Sequence, residues 1–261
     1  MRTLSIAATG MLAQQTNVDV ISNNIANMNT TGFKRQRAEF QDLLYEQVVR
    51  PGSATSAQTR SPTGIQIGSG VKTGAIYRIN EQGSVQQTDN QYDMAIQGHG
   101  YFQITLPDGS TGYTRDGSFG VSDQGELVNS DGFPVQPGIT VPQNAVSVTV
   151  SKTGQVDVVL GGGDPTPQTL GQLQLATFVN EGGLEAKGGN LFLETAASGA
   201  PIAGAPGDPG FGTLMQGFVE ASNVNPVAEI TALITAQRAY EMNSRVVKTA
   251  DEMLATTSQL R

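Results

Sequence analysis

The two ends of this chain repeat apolar residues every seven positions, and the long stretch between them does not. From Leu4 to about Met28 there is no Pro and Gly occurs only at Gly10. Leu4, Met11, Val18 and Ile25 make one row; Ala7, Ile21 and Met28 make the row three residues further on, interrupted by Gln14. Two such rows are the a and d positions of a coiled-coil seam. The pattern predicts a helix of about 25 residues, roughly 38 Å long, stopped at Asn29-Thr30-Thr31-Gly32, where Gly can supply the left-handed residue past a helix end.

At the other end, Asn225 followed by Pro226 reads as a helix start: a capping amide, then Pro at the first helical position, where its missing N–H costs nothing. Neither Gly nor Pro follows as far as Leu260. Leu233, Tyr240, Val247 and Leu254 repeat every seven, and Ala239, Val246, Met253 and Leu260 form a second row one residue earlier. So broad a stripe exceeds a two-stranded seam and implies packing against several helices. Asn243, Ser244 and Asp251 near the stripe limit what an isolated pair can bury.

Between the ends the period falls to two. Phe102, Ile104 and Leu106 alternate before Pro107-Asp108-Gly109; Val146, Val148 and Val150 alternate before a turn at Ser151-Lys152-Thr153-Gly154, and Val156, Val158 and Leu160 resume after it. These are hairpins. Turn signals at Asp116-Gly117, Asp131-Gly132 and Gly182-Gly183 continue the pattern to about residue 195, as in a sandwich- or barrel-like β domain. Residues 199–212 read as a Gly/Ala/Pro loop. The expected class is α+β: long N- and C-terminal helices forming a coiled-coil-like pair, with a β-rich domain inserted between them. The expected division is 1–32 and 225–261 for the helical domain, 33–72 for an extended connector, and 73–224 for the β-rich domain.

A chain of 261 residues is long enough for a real core without disulfide staples. Its formal charge of −8 disfavours nucleic acid, whose affinity comes from Lys and Arg displacing counterions. No apolar run is long enough to span a bilayer, and no cleavable signal peptide is expected. The absence of Cys removes disulfides and thiolate metal sites. A periplasmic hydrolase would need chemistry that is hard to find: His99, between Gly98 and Gly100, has no nucleophile elbow or metal-ligand spacing with it. Asp108, Asp116, Asp123 and Asp131 sit in or near Gly turns, where Asp serves the backbone. Gly68 to Gly74 fits no phosphate-loop spacing. A surface adhesin would account for the middle and leave the seven-residue repeats unexplained. No enzyme activity, catalytic residue, metal or cofactor is expected.

Ile21-Ser22-Asn23-Asn24-Ile25-Ala26-Asn27-Met28-Asn29-Thr30-Thr31-Gly32-Phe33-Lys34 resembles the N-terminal signature of the flagellar rod and hook proteins. Glu220-Ala221-Ser222-Asn223-Val224-Asn225 and Gln237-Arg238-Ala239-Tyr240-Glu241-Met242-Asn243 resemble their C-terminal one. The middle matches through residues 93–102 and through Tyr113-Thr114-Arg115-Asp116-Gly117-Ser118-Phe119. Within this axial family the insert from Tyr45 to Pro62 and the modest length are similar to the distal rod members, with proximal rod or hook subunits as the alternative.

The resemblance implies a tubular homopolymer, terminal helices lining its inner wall and β domains outside, that serves as a rigid driveshaft from motor to hook and houses the export channel. It implies a place in the basal body across the periplasm, export by the flagellar type III apparatus, and contacts with proximal rod proteins, the hook protein and the L- and P-ring bushing proteins. Subunit assembly is expected to use Met11, Val18, Ile21, Ile25 and Met28 on the first helix. On the second it is expected to use Leu233, Tyr240, Val247 and Leu254 for the pair, with Val246, Met253 and Leu260 facing neighbours. A stiffening arm is expected at the insert, through Tyr45, Val48, Val49, Arg50, Pro51, Arg60 and Pro62. Lys34, Arg35 and Arg37 read equally as a solvated basic face or as intersubunit pairs. Asn23, Asn24 and Asn27 are poor helix formers, and so close together they suggest amide hydrogen bonds at a helix interface.

Overall fold

A computed structural model describes residues 2–52, 62–161 and 166–259. The chain divides into two compact units, one of residues 1–26, 36–79 and 225–261, the other of residues 27–35 and 80–224. The first holds both expected helices, α1 (Arg2–Ala26) and α2 (Pro226–Gln259). The Asn225 side chain accepts the backbone N–H groups of Val227 and Ala228 at 3.1 and 3.3 Å, satisfying donors that a bare helix start would leave open. The other boundary differs from expectation: α1 stops at Ala26, and Met28 lies past its end among the residues of the second unit.

The segment 33–72, expected as an extended connector, carries strands. β1 (Gln36–Asp42) pairs antiparallel with β4 (Val71–Arg78), and β2 (Tyr45–Val49) with β3 (Ile65–Gly68). The helices pack on each other, and α1 also packs on β1 and β4. That second contact explains why Ala7, Ala13, Val20 and Ile21 are all buried, more of the α1 circumference than one partner helix would cover.

The β unit is built on a six-stranded antiparallel sheet in the order β15 (Glu185–Gly188), β16 (Leu191–Leu193), β8 (Thr111–Thr114), β7 (Tyr101–Thr105), β14 (Leu175–Thr177), β17 (Ile202–Gly204). A three-stranded sheet of β11 (Ala145–Val150), β12 (Gln155–Leu160) and β13 (Gln168–Gln172) contributes Val148, Val156 and Val158 to the same core as Phe102, Ile104 and Leu175. Alternation along β7 sends Phe102 and Ile104 into that core and Tyr101 to the opposite face, where Tyr113, Phe178, Leu184 and Phe192 form a second cluster. Tyr113 and Phe178 meet edge to face, 4.8 Å between ring centroids. Val146 breaks the expected alternation and is 70% exposed, because the register slips between Ala145 and Ser147 and leaves it as the extra residue of a bulge. Shorter pairs close the unit: β5 (Val85–Gln87) with β19 (Phe218–Glu220), β6 (Met94–Gln97) with β18 (Thr213–Gln216), and β9 (Gly120–Val121) with β10 (Leu127–Val128).

Candidate functional site

Two places gather the chemistry of this chain, a helix seam in the first unit and a buried ion cluster in the second. The seam runs antiparallel. A Cβ placed on Gly10 would come within 2.9 Å of the Asn243 side chain. Two heptads further along α1, Asn24 donates to Glu229 at 3.2 Å, two heptads earlier on α2. The seam therefore runs through Gly10 and Asn24, one residue before the apolar row of Met11, Val18 and Ile25. Asn17 and Ala236 fall at the same register and line one open groove of about 850 Å³ with Phe40, Ala232 and Ala239.

The Asn24 amide does more than bridge the helices. Its Oδ1 accepts the Gln36 N–H at 2.8 Å and its Nδ2 donates to the Gln36 carbonyl at 2.8 Å, so a fully buried side chain completes the edge of β1. Asn24 thus makes helix-interface hydrogen bonds of the kind this clustering suggests, and Asn27 accepts the Thr30 hydroxyl beyond the helix.

The apolar residues expected in assembly are distributed unevenly. Ile21 is buried, and Met11, Val18, Ile25, Leu233 and Val247 are half-buried. Tyr240, Val246, Met253 and Leu254 are exposed, as are Val227, Ile230, Ile234 and Met242 on the same helix. Val18 and Tyr240 line a second groove on the helix pair. Leu260 lies outside the described residues. Of the insert, Tyr45, Val48, Arg50, Pro51 and Pro62 are exposed and Val49 half-buried, while Arg60 lies outside the described residues. An ion pair joins Arg2 to Glu46 at the base of the hairpin.

The ion cluster centres on Glu220, with a side chain only 1% exposed. Its Oε1 accepts Lys34 Nζ at 2.5 Å and the Gly83 N–H at 2.8 Å; its Oε2 accepts Arg115 Nε at 3.0 Å and Nη2 at 2.9 Å. Lys34 also donates to the Glu81 carbonyl at 2.8 Å, and Arg115 Nη1 to the carbonyls of Gly98 and Gly100 at 2.9 and 2.7 Å. Every charged group is thus hydrogen-bonded, the condition under which buried charge is tolerated. Burial pushes the Lys34 ammonium below its usual pKa, outweighing the opposing pull of Glu220.

Neighbouring groups brace the cluster. The Asn223 side chain accepts the Arg35 N–H at 2.7 Å and donates to the Glu81 carbonyl at 3.0 Å. Gly32 donates its N–H to the Glu220 carbonyl at 2.8 Å. It adopts φ +67°, and a Cβ there would stand 2.7 Å from the Asp116 nitrogen, so both the backbone angle and the space require Gly. The role expected for Gly32, ending α1, is replaced by this close approach.

Lys34, expected on a solvated face or between subunits, is instead buried within its own chain. Arg35 and Arg37 stay at the surface, near Glu81 and Glu39. His99 is 82% exposed, 3.7 Å from Glu181. Among the described residues no group of His, Cys, Asp and Glu is placed to hold a metal ion. Sequence reasoning missed Glu220 as a hub, although Lys34, Arg115 and Glu220 each lie in one of three separate segments that carry the family resemblance. Three distant segments of that kind converging on one carboxylate is a signal only the fold reveals.

Comparisons with known proteins agree with the architecture. Residues 4–34 match the flagella basal body rod protein family, residues 95–158 the flagellar hook protein FlgE/F/G D1 domain, and residues 215–260 the flagellar basal body rod FlgEFG protein C-terminal family. The flagellar basal-body rod protein FlgG of Caulobacter vibrioides is 64% identical over all of both chains. That of Agrobacterium fabrum is 53% identical over 99% of each, and that of Bacillus subtilis 40% identical over all of this chain and 99% of the other. Identity of this depth along the whole length leaves one assignment: the chain belongs to the flagellar basal-body rod protein FlgG family.

Proposed function

We propose that this chain is the structural subunit of the distal rod, polymerising into a rigid tube that carries torque from motor to hook and encloses the export channel. The observation that carries the reading is the kinship along the whole length with FlgG rod proteins, which favours the distal rod over the proximal rod or hook. The exposed apolar residues of α2 support it, since single exposed apolar residues are ordinary but a row of them along one helix asks for a partner. Axial assembly is a building task and asks for no catalytic group.

In this reading the helix rows reserve Val246, Met253 and Leu260 for neighbouring subunits, joined by Tyr240 and Leu254, which the repeat assigns to the helix pair but which stand exposed, and the hairpin of β2 and β3 with the rest of the insert reaches an adjacent subunit to resist sliding. Partners are then further copies, proximal rod proteins, the hook protein, the L- and P-ring bushing proteins and the export apparatus, at a rod that spans the periplasm. Electron microscopy of basal bodies tests it. Deleting residues 1–26 is expected to leave the β unit folded and stop the rod before the hook, and deleting 46–62 to give rods that assemble but bend. Normal rods from the first deletion refute the assembly role, and straight rods from the second refute the stiffening arm.

A further inference from the structure

The β unit is discontinuous in sequence, made from residues 27–35 and 80–224, and its buried charges come from both pieces. Lys34 stands near the start of the chain and Glu220 lies 186 residues later; Arg115 is 105 residues from Glu220. We propose that Lys34, Arg115 and Glu220 form a completion lock, a device that makes folding of the β unit conditional on the chain being whole from residue 34 to residue 220.

The argument is electrostatic. Without Glu220, closing the unit would bury the Lys34 ammonium and the Arg115 guanidinium together, their side chains 2% and 6% exposed, with backbone carbonyls as hydrogen-bond acceptors, the Tyr101 ring 6.0 Å from the guanidinium carbon, and Glu181 as a weaker counter-charge to Lys34. Two like charges taken out of water without a hydrogen-bonded counter-charge oppose closure strongly. Once Glu220 arrives, each of its oxygens takes one cation, and Gly83 completes Oε1. The same step seats β19 beside β5, since Glu220 is the last residue of one strand and pairs with Val85, the first of the other. A missing Lys34 segment is equally felt, because residues 32–35 supply Lys34, the Gly32 N–H to the Glu220 carbonyl and the Arg35 N–H to Asn223. The lock works in either direction of emergence, because its two ends bracket the unit. If the chain reaches its assembly site unfolded through a narrow channel, which rests on the rod reading above, the lock keeps the β unit open until nearly all of it has passed.

Hydrogen exchange on the full-length monomer tests the lock. Glu220→Gln keeps the shape and removes the counter-charge. It is expected to lower protection by about 10²- to 10³-fold throughout the β unit, including β11, β12 and β13, whose three-stranded sheet holds none of the cluster residues. Loss confined to amides near Gly32, Gly83, Gly98 and Tyr101, with β11 and β12 as protected as before, overturns the proposal. A second variant, Lys34→Met with Arg115→Met and Glu220→Leu, removes all three charges together and is expected to regain protection across β11, β12 and β13 relative to Glu220→Gln. Protection no better than in Glu220→Gln assigns the effect to shape rather than charge and also overturns it. Both measurements are made on unassembled protein, so their failure leaves the rod reading intact, while normal rods in the microscopy experiment leave the lock untouched.

Discussion

Replacing Asn24 by Ala removes the side chain on which the helix seam and the edge of β1 both depend. The amide is 1% exposed and makes three hydrogen bonds, two to the Gln36 backbone at 2.8 Å and one to the Glu229 carboxylate at 3.2 Å. At about 1 kcal/mol for each backbone bond and about 1.5–3 kcal/mol for the charge-assisted one, the loss comes to about 3.5–5 kcal/mol. Ala returns about 0.5 kcal/mol of helix propensity, leaving a net cost of about 3–4.5 kcal/mol. Domains are stable by about 5–15 kcal/mol, so the change is large. Urea unfolding followed by far-ultraviolet circular dichroism on the monomer reads it through the helices. A double-mutant cycle with Glu229→Ala isolates the bridge between helices, and a coupling of about 1.5 kcal/mol or more is expected. A net cost below about 1 kcal/mol, or additivity of the two changes within about 0.5 kcal/mol, would show that the seam is held elsewhere.

Two further outcomes follow from the β unit. A Cβ on Gly117 would stand 1.6 Å from the Met94 carbonyl oxygen, a backbone atom with no room to move, while Met94 itself donates its N–H to the Gly117 carbonyl. Gly117→Ala is therefore expected to destabilise the unit by about 3 kcal/mol or more, read as a drop in its thermal midpoint; an unchanged midpoint refutes the packing argument. The depressed pKa of Lys34 sets a pH dependence of definite sign. Between that lowered value and the ordinary 10.5 the unfolded chain holds the proton more firmly than the folded one, so the Lys34 contribution to stability rises with pH across this window. Denaturant titrations at alkaline pH, taken as the difference between the native chain and Lys34→Met, should show that positive slope, and a negative one refutes it.

What the sequence makes legible here is local. The start of α2 is written in Asn225 and Pro226, two adjacent residues whose capping role needs no knowledge of the rest of the fold. Phe102, Ile104, Val156 and Val158 are likewise placed by alternation, and all four are buried. Failures occur where a distant partner decides. Val146 stands in step with Val148 and Val150 in the sequence yet faces out, because a slip against β12 intervenes. Periodicity finds the apolar rows on both helices but does not say which stripe the partner helix takes, and the protomer takes the smaller, more polar one through Gly10, Asn24, Glu229 and Asn243. Lys34 carries no mark of burial in a neighbourhood that includes Arg35 and Arg37. Its partner is 186 residues away.

That choice of stripe bears on how such a chain divides its stability. Each large apolar side chain buried stabilises by about 1.5–3 kcal/mol, and a protomer that spent Ile230, Ile234, Val246 and Met253 on its own helix pair would have little left for its neighbours. Here those residues stay exposed, while Gly10 and Ala236, which have little apolar surface to bury, occupy the seam. Helices draw most of their stability from tertiary packing rather than propensity, so the pair is only modestly held within one chain. Amides and a carboxylate in the seam fix its register, since any other alignment would leave these buried polar groups unpaired at their full desolvation cost. The β unit is organised the other way, with Phe102, Ile104, Leu173 and Leu175 fully buried in its own core. A subunit built so has a β unit with a buried core of its own and a helix pair that leaves much of its apolar surface exposed, the surface that the rod proposal assigns to contact with further copies.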